Sequence, residues 1–97
     1  MRILTLQDFA AVANQGFALA VGGASLTLSL VQVTPLAPAV HRGQMRQPFS
    51  LLFKAASPVL LPQRLYTLAH DTMGRIDIFL VPIAREPDGI VYQAVFN

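Results

Sequence analysis

Apolar residues change their spacing once along this chain, and the change sets the expected order of elements. Up to Gly16 they follow a helical period: Leu6, Phe9, Ala10 and Ala13 share one face. Thr5 offers a hydroxyl to cap the first backbone N–H groups, and Asp8 places an acid where the helix dipole favours negative charge. Gly16 can take the left-handed conformation that ends a helix, so the pattern predicts one short N-terminal helix of about three turns. From Phe17 onward the period becomes two. Phe17, Leu19 and Val21 alternate with Ala18 and Ala20, and Leu26, Leu28 and Leu30 alternate with Ser25, Thr27 and Ser29. Gly22-Gly23 between them supplies the positive φ angles of a tight hairpin. The apolar phase then slips from even positions at Leu30 to odd ones at Val31 and Val33, which predicts a β-bulge.

Residues 34–47 contain Pro35, Pro38 and Gly43 without sustained periodicity and read as the longest connection. A third strand runs through Phe49, Leu51 and Phe53 and stops at Ser57-Pro58 and Leu61-Pro62. Leu65 to His70, Arg75 to Ile83 and Ile90 to Phe96 are the fourth, fifth and sixth strands, separated by polar turns at 71–74 and 85–89. Turns this short join antiparallel neighbours, because a parallel crossover needs a dozen or more residues. The expected fold is all-β and mainly antiparallel: a small six-stranded barrel or sandwich with one N-terminal helix, residues 1–97 forming a single domain.

Composition narrows the function classes. Apolar residues make up 54% and charged ones 12%, about half the usual share for a soluble domain, which points to a surface partly covered by something else. The seven basic residues are scattered, so no cationic face for nucleic acid forms. Without cysteine there is no disulfide, thiolate metal site or cysteine nucleophile. Gln7 and Asp8 interrupt the start before a secretory apolar core can build, which predicts cytoplasmic synthesis. The stretch from Phe17 to Val33 alternates with polar residues and is broken by Gly22-Gly23, so insertion into a membrane as a helix is not expected.

Candidate chemistry is sparse. His70-Asp71, with Asp77 nearby, is the closest approach to a general base or half a metal site, but adjacent strand residues point to opposite faces. His41, Arg42 and Arg46 in the long connection are candidate loop contacts for an anion or acidic partner, with a solvated loop the simpler reading. Gly22-Gly23 leads into a strand, whereas a phosphate cradle leads into a helix. No metal-ligand spacing, catalytic constellation or cofactor motif emerges. Asp77 interrupts an apolar strand; the sequence suggests an edge-protecting charge, or else an ion pair with Arg75 or Arg64.

The strand from Arg75 to Ile83 is apolar on both faces, Ile76, Ile78 and Leu80 on one and Phe79, Val81 and Ile83 on the other. The C-terminal strand carries neither charge nor proline, and only Gln93 marks a wet face. Phe79, Val81, Ile83, Val91, Gln93 and Val95 are therefore the candidate interface residues, by face packing or by pairing of an exposed terminal edge, the alternative being that both strands are covered as the middle of a closed barrel. The alternative expectation is a small-molecule or carbohydrate module in which the 35–47 loop, with Tyr66 and Tyr92, forms a pocket.

Leu4-Thr5-Leu6-Gln7-Asp8-Phe9, Pro48 to Phe53, Leu61-Pro62-Gln63 with Tyr66-Thr67-Leu68, Phe79 to Ile83 and Tyr92 to Asn97 together resemble a small bacterial domain family of similar length with no assigned activity. The likeness covers nearly the whole chain and lies in hydrophobic patterning and turn residues. Members encoded near proteins similar to phage tail-collar or tail-fibre components imply a role in building or decorating a fibre-like, extracellular or virion-like assembly. The combined expectation is a non-enzymatic module, without cofactor, that binds copies of itself or a fibre-like protein.

Overall fold

The computed structural model describes residues 3–37 and 47–97. Thr5 and Asp8 start helix α1 (Leu6–Ala10) through a reciprocal capping box: the Thr5 hydroxyl accepts the Asp8 N–H at 3.3 Å, and the Asp8 carboxylate accepts the Thr5 N–H at 2.9 Å. The helix is shorter than its apolar spacing predicts. After Ala10 the chain tightens, with Val12 N–H donating to Phe9 and Ala13 N–H to Ala10, and Asn14 takes the left-handed conformation at φ 67°. Asn14, one of the few non-glycine residues at home there, ends the turn before Gly16. Two backbone bonds explain why: Asn14 N–H donates to Leu30 O at 2.7 Å, and Leu30 N–H to Gln15 O at 3.0 Å. Gly16 becomes instead the first residue of a strand.

Six strands follow: β1 (Gly16–Val21), β2 (Ala24–Pro35), β3 (Phe49–Ala55), β4 (Arg64–His70), β5 (Gly74–Glu86) and β6 (Gly89–Phe96). They form a closed barrel in the order β1-β2-β3-β6-β5-β4, every pairing antiparallel. Gly22 and Gly23, at φ 53° and 82°, make the expected two-residue hairpin closed by Val21 opposite Ala24. The bulge also falls where the phase slips: Leu30 pairs with Phe53 and Gln32 with Leu52, leaving Val31 as the extra residue. β2 continues through Thr34 and Pro35, further than the pattern suggests, because Leu51, Ser50 and Phe49 pair with its last residues.

Closure overturns one expectation. The C-terminal strand is no edge, since β6 pairs with β3 along one side and β5 along the other. A second bulge, at Ile83, lies between the pairs Pro82–Tyr92 and Ala84–Val91, where proline has no N–H to give the ladder. Gly89 opens β6 at φ 154°, and a Cβ there would run into the Ala55 carbonyl oxygen of β3.

Inward side chains of all six strands fill the barrel. Near the start of β3, Phe9 of α1 lies 5.7 Å from Phe49 and 5.4 Å from Phe96, whose rings stack on each other at 4.7 Å. Past the other end of β3, residues 56–63 fold back and insert Leu61 into the core. Its N–H donates to the Tyr92 hydroxyl at 3.0 Å, and the Tyr66 hydroxyl donates to Pro62 O at 2.6 Å. Two core tyrosines thus hold a proline-rich loop that has no ladder of its own.

Candidate functional site

In a strand, side chains alternate between faces, so closing the sheet sends one set inward and leaves the other outside. On β5 the inward set is Ile76, Ile78 and Leu80, all buried, and the outward set includes Asp77, Phe79 and Val81. Leu65 of β4 lies directly opposite Phe79, and Gln93 of β6 opposite Val81. Two residues along from that last pair, Phe79 and Val95 occupy neighbouring positions on the same outer face. Leu65 is 59% exposed, Phe79 48% and Val95 52%, while Val81 is half-buried. Ile83, pushed out by its bulge, is exposed and shares a surface depression with Leu60. The outer face of β4, β5 and β6 is therefore an apolar strip running along β5.

The candidate interface residues divide on this surface. Phe79, Val81, Ile83, Gln93 and Val95 reach it. Val91 points outward too but is buried at 8%, flanked in the ladders by Lys54 of β3 and Ala84 of β5. Leu65 and Leu60 were not singled out by sequence. For Leu65 the signal was present: with Tyr66 and Leu68 inward, a leucine at the opposite phase of β4 has no core to enter.

Asp77 neither guards an edge nor forms an ion pair with Arg75 or Arg64; it accepts a hydrogen bond from the Thr67 hydroxyl directly across the β4–β5 ladder. β5 has a neighbour on both sides and needs no protection. Charge gathers instead beyond the strip, at the β5–β6 turn. Lys54 Nζ lies 2.7 Å from both Glu86 Oε1 and Asp88 Oδ1. Its hydrogen bonds, to Asp88 first and Glu86 second, raise the lysine above its ordinary value, and the same bond to Lys54 holds the Asp88 carboxyl below its own.

His70 is a structural side chain. It is 8% exposed, its ring lies 4.7 Å from that of Phe17, and Nδ1 faces the backbone N–H groups of Thr72 and Met73 at 3.1 and 3.3 Å. Two N–H donors on Nδ1 make it the acceptor nitrogen, so Nε2 carries the proton and donates to Gln15 Oε1 at 2.7 Å. Asp71 is exposed on the turn that follows. Among the described residues no group of three or more His, Asp or Glu side chains gathers as for a metal ion. The tyrosines expected beside a ligand pocket are buried, their hydroxyls bound to the 56–63 loop. His41, Arg42 and Arg46, with most of the 35–47 connection, lie outside the described residues.

A family model described as Domain of unknown function (DUF6916) matches residues 4–96, all but the ends of the chain. The chain belongs to that family. No curated protein and no solved structure matches this DUF6916 domain. No helix among its described residues is long and apolar enough to cross a membrane.

Proposed function

We propose that this DUF6916 domain is a non-enzymatic assembly module that binds protein through the outer face of β4, β5 and β6. The observation that carries the reading is the row Leu65, Phe79 and Val95, each about half exposed on adjacent strands, with Val81 beside it. Isolated exposed apolar residues are ordinary on any protein, but a contiguous strip of them is not, and such strips occur where partners dock. Phe79 supplies a large aromatic side chain of the kind enriched in interface cores. The resemblance to domains encoded beside tail-fibre-like proteins extends the proposal to a fibre-like assembly.

Site-specific photo-crosslinking tests the reading in the native host. A benzophenone side chain at position 79 should give a defined protein adduct, to this chain or to another protein, while the same group at Ala20, exposed on β1, should not. Equal labelling at both positions, or none at position 79, would sink it.

A further inference from the structure

We infer that the occupant of this strip is a second copy of the chain, the two β5 strands lying antiparallel across a two-fold axis between Phe79 and Val81. The inference rests on the docking reading and adds the partner and its orientation. Shape favours it first. At about 3.3 Å per residue the 13 residues of β5 extend about 43 Å, close to the 41 Å long axis of the molecule. β5, and the strip in its middle, therefore runs along the long dimension of the molecule.

The order of residues along β5 supplies the orientation. Its outward positions read Arg75, Asp77, Phe79 and Val81; past the bulge at Ile83, Ala84 and Glu86 face outward. Charge thus sits at both ends and apolar side chains in the middle. A two-fold axis passing between Phe79 and Val81 lays Phe79 over the partner's Val81 and brings Arg75 over the partner's Glu86, an opposite-charge pair made twice because a two-fold contact is isologous. Asp77 falls over an alanine rather than a second acid. A parallel arrangement would set arginine on arginine and glutamate on glutamate. Glu86 also holds Lys54, yet its side chain is 46% exposed, which leaves it able to meet a cation from outside.

The area is adequate. Leu60, Leu65, Phe79, Ile83 and Val95 together expose on the order of 500 Å² of apolar surface, towards the top of the roughly 300–600 Å² of the largest patch on a typical monomer. With a polar rim such a face approaches the about 800 Å² per partner that a stable dimer buries.

Light scattering on the purified chain, with sedimentation velocity for affinities, tests the arrangement. The wild type should be a dimer. Phe79→Lys and, as an independent second variant, Val95→Lys should give folded monomers, each side chain being on the outer face. Arg75→Glu should weaken association about tenfold through its two repeated contacts, and Arg75→Glu combined with Glu86→Arg should restore it. Restoration supports the inference, since a merely sticky surface would not respond to the exchange. A monomeric wild type overturns it, as does a dimer indifferent to Phe79→Lys and Val95→Lys, or a double variant that associates no better than Arg75→Glu. Crosslinks from position 79 to a different protein, with the chain monomeric, would preserve the docking face and refute the second copy.

Discussion

Tyr92→Phe removes one oxygen atom and no packing volume, which makes it a clean measure of what holds the 56–63 loop against the barrel. Leu61 is 3% exposed and its N–H has the Tyr92 hydroxyl as acceptor at 3.0 Å. Without that oxygen a buried donor loses its partner, at a cost of about 1–3 kcal/mol, and the long 3.5 Å contact from the hydroxyl to Val59 O goes with it. In a domain of this size 1 kcal/mol shifts the melting temperature by about 4–8 °C, so a fall of about 4–24 °C is expected. Urea unfolding should show a lower midpoint with an unchanged slope, because the surface exposed on unfolding is the same. Amide exchange should accelerate at residues 59–61 before it does in β3 or β6. Tyr66→Phe is the control: its hydroxyl donates to Pro62 O, and a carbonyl with a free lone pair on an exposed residue can turn to water, so the cost should stay near 0.5–1 kcal/mol, within the roughly 1 ± 0.5 kcal/mol of an ordinary hydrogen bond. Equal losses in the two variants, or no change in exchange at Leu61, would refute the view that the Tyr92 hydroxyl anchors the loop.

Gly89→Ala should cost on the order of 3 kcal/mol, read as a large drop in unfolding midpoint, because the new Cβ meets the Ala55 carbonyl where β3 and β6 are paired. His70→Phe should keep the ring against Phe17 yet lose about 1–2 kcal/mol and speed exchange at Thr72 and Met73, whose N–H groups lose their acceptor. The Lys54 cluster should stabilise the fold only over a window of pH. A lowered Asp88 contributes above its ordinary 3.8 and loses that contribution as pH falls through the lowered range, whereas a raised Lys54 contributes below its ordinary 10.5 and loses it as pH rises beyond. The stability gap between wild type and Lys54→Met, measured by urea unfolding, should be widest near neutrality and shrink towards both extremes; a flat gap would deny the cluster any role.

Much of the architecture is legible because two signals are local: glycine pairs at φ-demanding turns, and a change of apolar phase at a bulge. Gly22-Gly23 and Val31 are such cases. Ile83 escaped detection because β5 is apolar on both phases around it, so an inserted residue leaves no mark on the pattern. The end of α1 was misplaced because Gly16 is the stronger local signal, and only the backbone bonds between Asn14, Gln15 and Leu30, made across the fold, decide for Asn14. The choice between a terminal edge and a closed barrel stays open in the sequence for a related reason. Whether a last strand is lateral or central depends on barrel closure, which local periodicity does not encode. Of the candidate surface, the phase of β5 and β6 gave the outward residues, but the covering of Val91 and the partnership of Leu65 with Phe79 arise from register between strands.

Strands β1 and β4 meet in the register at one pair only, Ala18 opposite Ala69, while each other seam of the barrel has five or more. The sheet is thus two sequence-local meanders, β1-β2-β3 and β4-β5-β6, welded along β3 and β6 and barely stitched where they meet again. Meanders close short loops and form fast; the weld and the stitch pay for long ones. The last ladder to form in folding should be the one between Ala18 and Ala69, and amide exchange should show that hem to be where the cylinder first unrolls.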